Sequence, residues 1–150
     1  MYKWCSNKYV EVFFDDIPRV SIRYILPSMN KEERKSIKKY PFINKKTLGV
    51  RLFDKYKNKI YEFDIPKGYC FDGATVPRFF WRIIGPNTDN KFLIAALIHD
   101  VLCENHRYVD NDRKFSTQVF NALLEVSEVF PFKRFLMKNS INFFQLFCGW

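Results

Sequence analysis

The segment Phe92–Leu102, FLIAALIHDVL, is apolar except for His99 and Asp100. Its composition is that of a helix, and Asp89 is a suitable N-cap for one running from about Asn90 to Glu104. An imidazole and a carboxylate are costly to bury, so the pair must be partnered, bind a metal or face a cleft. The rest of the chain has to supply both the cover and the partners.

The material for that cover is present. Of 150 residues, 47% are apolar and 19% aromatic, against 5 Gly and 7 Pro, which excludes disordered, collagen-like and low-complexity classes. Ahead of the apolar helix the chain reads as β. Lys8–Phe14 and Val20–Leu26 are rich in β-branched and aromatic residues and are separated by the turn composition Asp15-Asp16-Ile17-Pro18. Asn30 followed by Glu33 has the form of a capping box, predicting a short charged helix over Lys31–Lys39 that stops before Pro41. Thr47–Phe53 and Ile60–Ile65 predict a hairpin around Lys57-Asn58, with Tyr61, Phe63 and Ile65 on one face.

Pro66-Lys67-Gly68 breaks that strand, and Tyr69–Arg78 has turn chemistry without periodicity, predicting an ordered loop. After the apolar helix, Asp110 can cap a second one in which Phe115, Val119, Ala122, Leu123 and Val126 recur at helical spacing. Pro131 suits the first turn of a third, over Phe132–Phe147, closed by Gly149. The expectation is one α+β domain, with N-terminal strands packed on a C-terminal three-helix unit. Its parts are a β-rich stretch 1–66, a loop 67–89 and a helical part 90–150.

The net charge is +9, and residues 31–59 carry +8 of it. Such a face suits an anionic partner, either a membrane surface or nucleic acid, or it serves solubility. No aromatics interleave the central lysines in the way a base-stacking groove requires. Cysteines stand at 5, 70, 103 and 148 without a CxxC pair, and the N-terminus lacks the form of a signal peptide, which points to a reducing cytoplasm. The longest nearly uncharged stretches fall short of the ~18 apolar residues of a spanning helix.

Asp112 precedes Phe115 by three and Val119 by seven, which puts it on the inward face of the second helix. The short Asn105–Val109 connection predicts antiparallel packing and brings Asp112 towards His99. Asp112 would then fix the imidazole tautomer and leave the other nitrogen to take a proton from water. Asp100 points about 100° away along the helix. With Asp72 and the Gly73 carbonyl it could hold a hard cation such as Ca²⁺. Two other readings stay open: a buried structural network of His99, Asp100, Asp112 and Arg78, and a zinc site from His99, Cys103, His106 and Cys70. The chain has no Gly-rich phosphate loop, nucleophile elbow or HExxH.

Three runs in order, FDGATVPRFFW (71–81), AALIHDVL (95–102) and Asp112-Arg113-Lys114-Phe115, resemble the phage and prophage family known as domain of unknown function 1353. The resemblance covers residues 45–145. Thr75 stands where Ser is common in its DGASVPR-like loop, which also holds Arg78, and Cys103 stands where Tyr is usual. It implies a phage or prophage source, a place in the infected host's cytoplasm or the virion, and phage or host proteins as partners. The motif order is also similar, more distantly, to bacterial secreted phospholipase A2. That resemblance implies His99 as the base, Asp112 as its orienter, and Asp100, Asp72 and the Gly73 carbonyl as calcium ligands. The implied activity is calcium-dependent hydrolysis of acyl-lipid esters at an anionic surface. The disulfides and secretion signal of those phospholipases have no counterpart here. A non-catalytic virion or host-interaction protein and a nucleic-acid binder are the alternatives.

Overall fold

The computed structural model describes residues 1–73, 91–105 and 112–126. The fold is α+β, with strands in the N-terminal half and helices towards the C-terminus. Strand β1 (Tyr2–Ser6), β2 (Val10–Phe14), β5 (Leu48–Asp54) and β6 (Lys59–Ile65) form an antiparallel sheet in the order β1-β2-β5-β6. Alternation decides which face is buried. Val10, Val12 and Phe14 of β2 point into the core, with Leu48, Val50 and Leu52 of β5 and Tyr61 and Ile65 of β6. The predicted hairpin and its aromatic face are therefore present, and Asn58 makes the tight turn possible at φ 53°.

A second antiparallel sheet, β3 (Val20–Ile22), β4 (Phe42–Asn44) and β7 (Cys70–Phe71), takes the order β3-β4-β7. Here the expected strand Val20–Leu26 is cut to its first three residues. The Arg23 N–H still donates to the Pro41 carbonyl at 2.7 Å, but proline has no N–H to return, so the ladder ends there. Residues 24–26 leave the sheet with their side chains in solvent. Strands β1, β4 and β7 are too short or too polar to show the alternation by which a strand is read from sequence.

Helix α1 (Lys31–Lys39) starts on the expected capping box: Asn30 Oδ1 accepts from the Glu33 amide at 2.9 Å and the Glu33 carboxylate from the Asn30 amide at 3.0 Å. Helix α2 (Lys91–Glu104) is apolar on all sides, and every residue from Leu93 to Cys103 is buried. Helix α3 (Arg113–Val126) is amphipathic and turns Phe115, Val119, Phe120 and Leu123 inward. It packs against β1, β2 and α2, so α2 is enclosed in the core cluster that both halves of the chain build. The cap of α3 is Asp112. Its Oδ1 accepts from the Phe115 amide at 2.7 Å and its carbonyl from the Ser116 amide at 3.1 Å. Asp89, the expected cap at Asp110, and the helix expected over 132–147 lie outside the described residues.

Candidate active site

The middle of α2 carries the polar pair into the core. His99 is fully buried, and burial lowers its pKa to about 4, so the imidazole is neutral at physiological pH. Its ring meets Phe120 of α3 edge-on, with centroids 5.3 Å apart. One helical turn on, Cys103 Sγ lies 3.7 Å from Nδ1 and 3.8 Å from Nε2.

Asp100 is 2% exposed and points to the chain that follows β7. The Gly73 N–H donates to its Oδ2 at 3.2 Å, and the Asp72 carboxyl comes within hydrogen-bonding reach. Oδ1 has no hydrogen-bond partner. Burial, followed by the charge and carboxyl contact of Asp72, raises the Asp100 pKa well above the ordinary carboxylate range. Two ionised carboxylates cannot share such a place. A proton held on Asp100, or a cation in its place, satisfies the contact with Asp72.

Gly73 makes this approach possible. Its φ is +64°, and a Cβ there would stand 2.3 Å from the Phe42 ring, so only glycine brings its amide so close to α2. The Gly73 group seen at Asp100 is thus the N–H, where the sequence suggested the carbonyl as a metal ligand.

Tyr69 and Glu104 complete the surroundings, and neither was legible as a site residue because they stand far apart in sequence with no motif between them. The Tyr69 hydroxyl donates to the Glu104 carboxylate. Burial first, and then the Glu104 contact and the charges of Asp100 and Asp72, push the phenol pKa up. Beside Tyr69 opens a cleft of about 370 Å³, walled by Phe63, Ile65, Pro66 and Val101 with Asp64 and Asn105 at its polar positions.

A family model described as "Protein of unknown function (DUF1353)" matches residues 51–140, more than half of the chain. The chain belongs to the DUF1353 family. One relative is "Uncharacterized protein y4jT" of Sinorhizobium fredii (strain NBRC 101917 / NGR234), 37% identical over 51 residues, which are 34% of this chain and 15% of that protein. No solved structure matches the chain.

The DUF1353 match runs through all the described site residues on α2 and α3 and the Asp72-Gly73 turn. It does not bring them all together. Asp112 was expected to orient His99, yet its Oδ2 accepts from the Lys57 ammonium and its Oδ1 serves the Phe115 amide. Burial works against the Asp112 charge, but Lys57 and the Phe115 amide outweigh it and hold the carboxyl below its ordinary pKa. The reason is positional. Asp112 sits outside the first turn of α3, where a cap side chain folds back on its own helix end, and its side chain is 47% exposed.

Of the expected zinc set, the described members His99, Cys103 and Cys70 form no metal-binding group: Cys70 Sγ turns to the Gly68 carbonyl at 3.3 Å, and no three His, Cys, Asp or Glu side chains among the described residues group closely enough to hold a metal. Cys5, Cys70 and Cys103 are not in disulfide bonds. Thr75, Arg78, His106 and Cys148 lie outside the described residues. Among the described residues no helix is long and apolar enough to cross a membrane.

Proposed function

We propose that this DUF1353 chain is a hydrolase of acyl esters, with His99 as its base and Asp72 and Asp100 as the holders of a hard divalent cation such as Ca²⁺. The observation that carries the reading is the carboxyl pair itself. Two acidic groups converge at Asp100, the residue that follows the neutral His99 on α2, and the unpartnered Oδ1 of a buried Asp100 is an oxygen in search of a cation or a proton. Such a cation, when bound, polarises an ester carbonyl as a Lewis acid. A neutral imidazole is the protonation state a general base requires. The apolar cleft beside Tyr69 has walls suited to an acyl chain, and the basic segment 31–59 to an anionic surface.

The test is hydrolysis of a panel of acyl esters and phospholipids with and without Ca²⁺. Activity that chelation abolishes, and that His99→Gln and Asp100→Asn each lose with the fold intact, supports the reading. A wild type inert over the whole panel overturns it.

A second reading is favoured by the fate of Asp112. With His99 sealed against Phe120 and Cys103 and its expected orienter bound to Lys57, the cluster also reads as a structural pin between α2 and the Asp72-Gly73 turn in a non-catalytic virion or host-interaction protein. That reading expects His99→Gln to change stability and nothing else.

A further inference from the structure

Residues Tyr24, Ile25 and Leu26 expose 54%, 42% and 52% of their surface in one uninterrupted run. Three consecutive exposed large apolar side chains are a liability in a soluble domain unless something is meant to cover them. The run is an ordered feature. The Leu26 carbonyl accepts from the Met29 amide at 3.1 Å, and Arg34 of α1 donates from Nε to the Met29 carbonyl at 3.1 Å and from its guanidinium to Pro27 at 3.2 Å. Arg23 ties the other side to the Tyr40 carbonyl at 3.0 Å.

Helix α1 is therefore fastened alongside the apolar run. Ile37 is its single buried residue. Lys31 and Lys38, three before and four after Arg34, share the face that Arg34 presents to the run, and Lys35 and Lys39 stand together on the adjoining side. Glu32 and Glu33 are the opposing charges, and Glu33 is engaged in the capping box. An apolar tip held against a row of cations matches an anionic bilayer. On such a bilayer the tip would enter the interface, where tyrosine is also at home, and the lysines would meet the headgroups. Nucleic acid would use the cations but leave Ile25 and Leu26 without purpose.

We propose that the Tyr24–Leu26 run and the α1 lysines form a docking surface for an anionic lipid bilayer. The surface does not depend on the His99–Asp100 site or on any activity there, so vesicle binding tests it separately from hydrolysis. The experiment is co-sedimentation of the full chain with vesicles of phosphatidylglycerol and phosphatidylethanolamine, against phosphatidylcholine alone. Binding to the anionic vesicles only is expected, weakening as salt rises. Ile25→Ser/Leu26→Ser and Lys31→Glu/Lys38→Glu should each weaken it about tenfold or more, with unchanged circular dichroism because all four side chains are exposed. Should the serine pair unfold the chain, Tyr24→Ser takes its place. Three results overturn the proposal: no binding to anionic vesicles, binding that the lysine pair abolishes but the serine pair leaves intact, or tighter retention on a single-stranded oligonucleotide than on vesicles.

Discussion

The Asp112 carboxylate accepts a hydrogen bond from the Lys57 ammonium, joining the start of α3 to the β5–β6 turn. The same carboxylate caps α3 through the Phe115 amide. A residue that motif order assigns to catalysis is thus a helix cap with a surface ion pair, and the difference is measurable. Asp112→Ala should cost about 1 kcal/mol of stability through the lost cap. Asp112→Asn keeps an acceptor for the Phe115 amide and should cost only a few tenths. Any ester hydrolysis should survive both, whereas an orienting carboxylate would take several orders of magnitude with it. Urea denaturation and rate measurements on the two variants separate the roles.

The buried imidazole predicts a pH dependence with a definite sign. His99 has a pKa of about 4 in the fold against 6.5 in the unfolded chain, so the unfolded state takes up a proton first as pH falls. Its contribution is intact above pH 6.5 and is lost progressively as pH falls towards 4. The full loss is about 3 kcal/mol. His99→Gln should flatten that acid limb in denaturation curves collected across the range. An unchanged limb would show that His99 is accessible to protons in the native state.

Asp100 works in the opposite direction. Burial and Asp72 raise its pKa, so it stabilises the fold below the ordinary carboxylate range and that contribution is lost as pH rises through its folded value. A cation that replaces the Asp100 proton reverses this. Calcium should therefore bind more tightly as pH rises and release protons on binding, which calorimetry in buffers of different ionisation enthalpy detects. At a hundredfold excess over its Kd, calcium should stabilise the wild type by about 2.7 kcal/mol. Asp100→Asn, which keeps the shape and offers Asp72 an N–H in place of the proton, should fold without responding to calcium. A calcium-stabilised Asn variant would place the ion elsewhere.

Gly73→Ala should be among the most damaging single-methyl changes in the chain. The added carbon would stand 2.3 and 2.6 Å from two Phe42 ring atoms, at a φ of +64°. Strain and overpacking together predict a loss of about 2–4 kcal/mol. Combining it with Phe42→Leu should recover part of the packing cost and none of the backbone cost. Thermal unfolding of the single and double variants measures the two parts.

The sequence by itself determined the elements whose signals are local. The Asn30–Glu33 box starts α1, alternation from Leu48 to Ile65 makes the hairpin, and the all-round apolar character of Leu93–Leu102 forces α2 into the core. The burial of His99 and Asp100 follows from that last point alone, since a helix cannot hide its apolar sides and expose its middle. Tertiary structure decided what those two residues meet. Whether Asp112 reached His99 or Lys57 depended on a cap geometry at the α3 start and on where the β5–β6 turn lies. The approach of Asp72 to Asp100 depended on a positive-φ glycine packed over Phe42. The shortened β3 shows the same division. The composition of Val20–Leu26 is that of a strand, but its partner reaches Pro41, which has no N–H to give, and three apolar side chains are left in solvent as a result. Periodicity and capping are carried by neighbours in sequence. Partner choice is carried by residues that only the fold brings together.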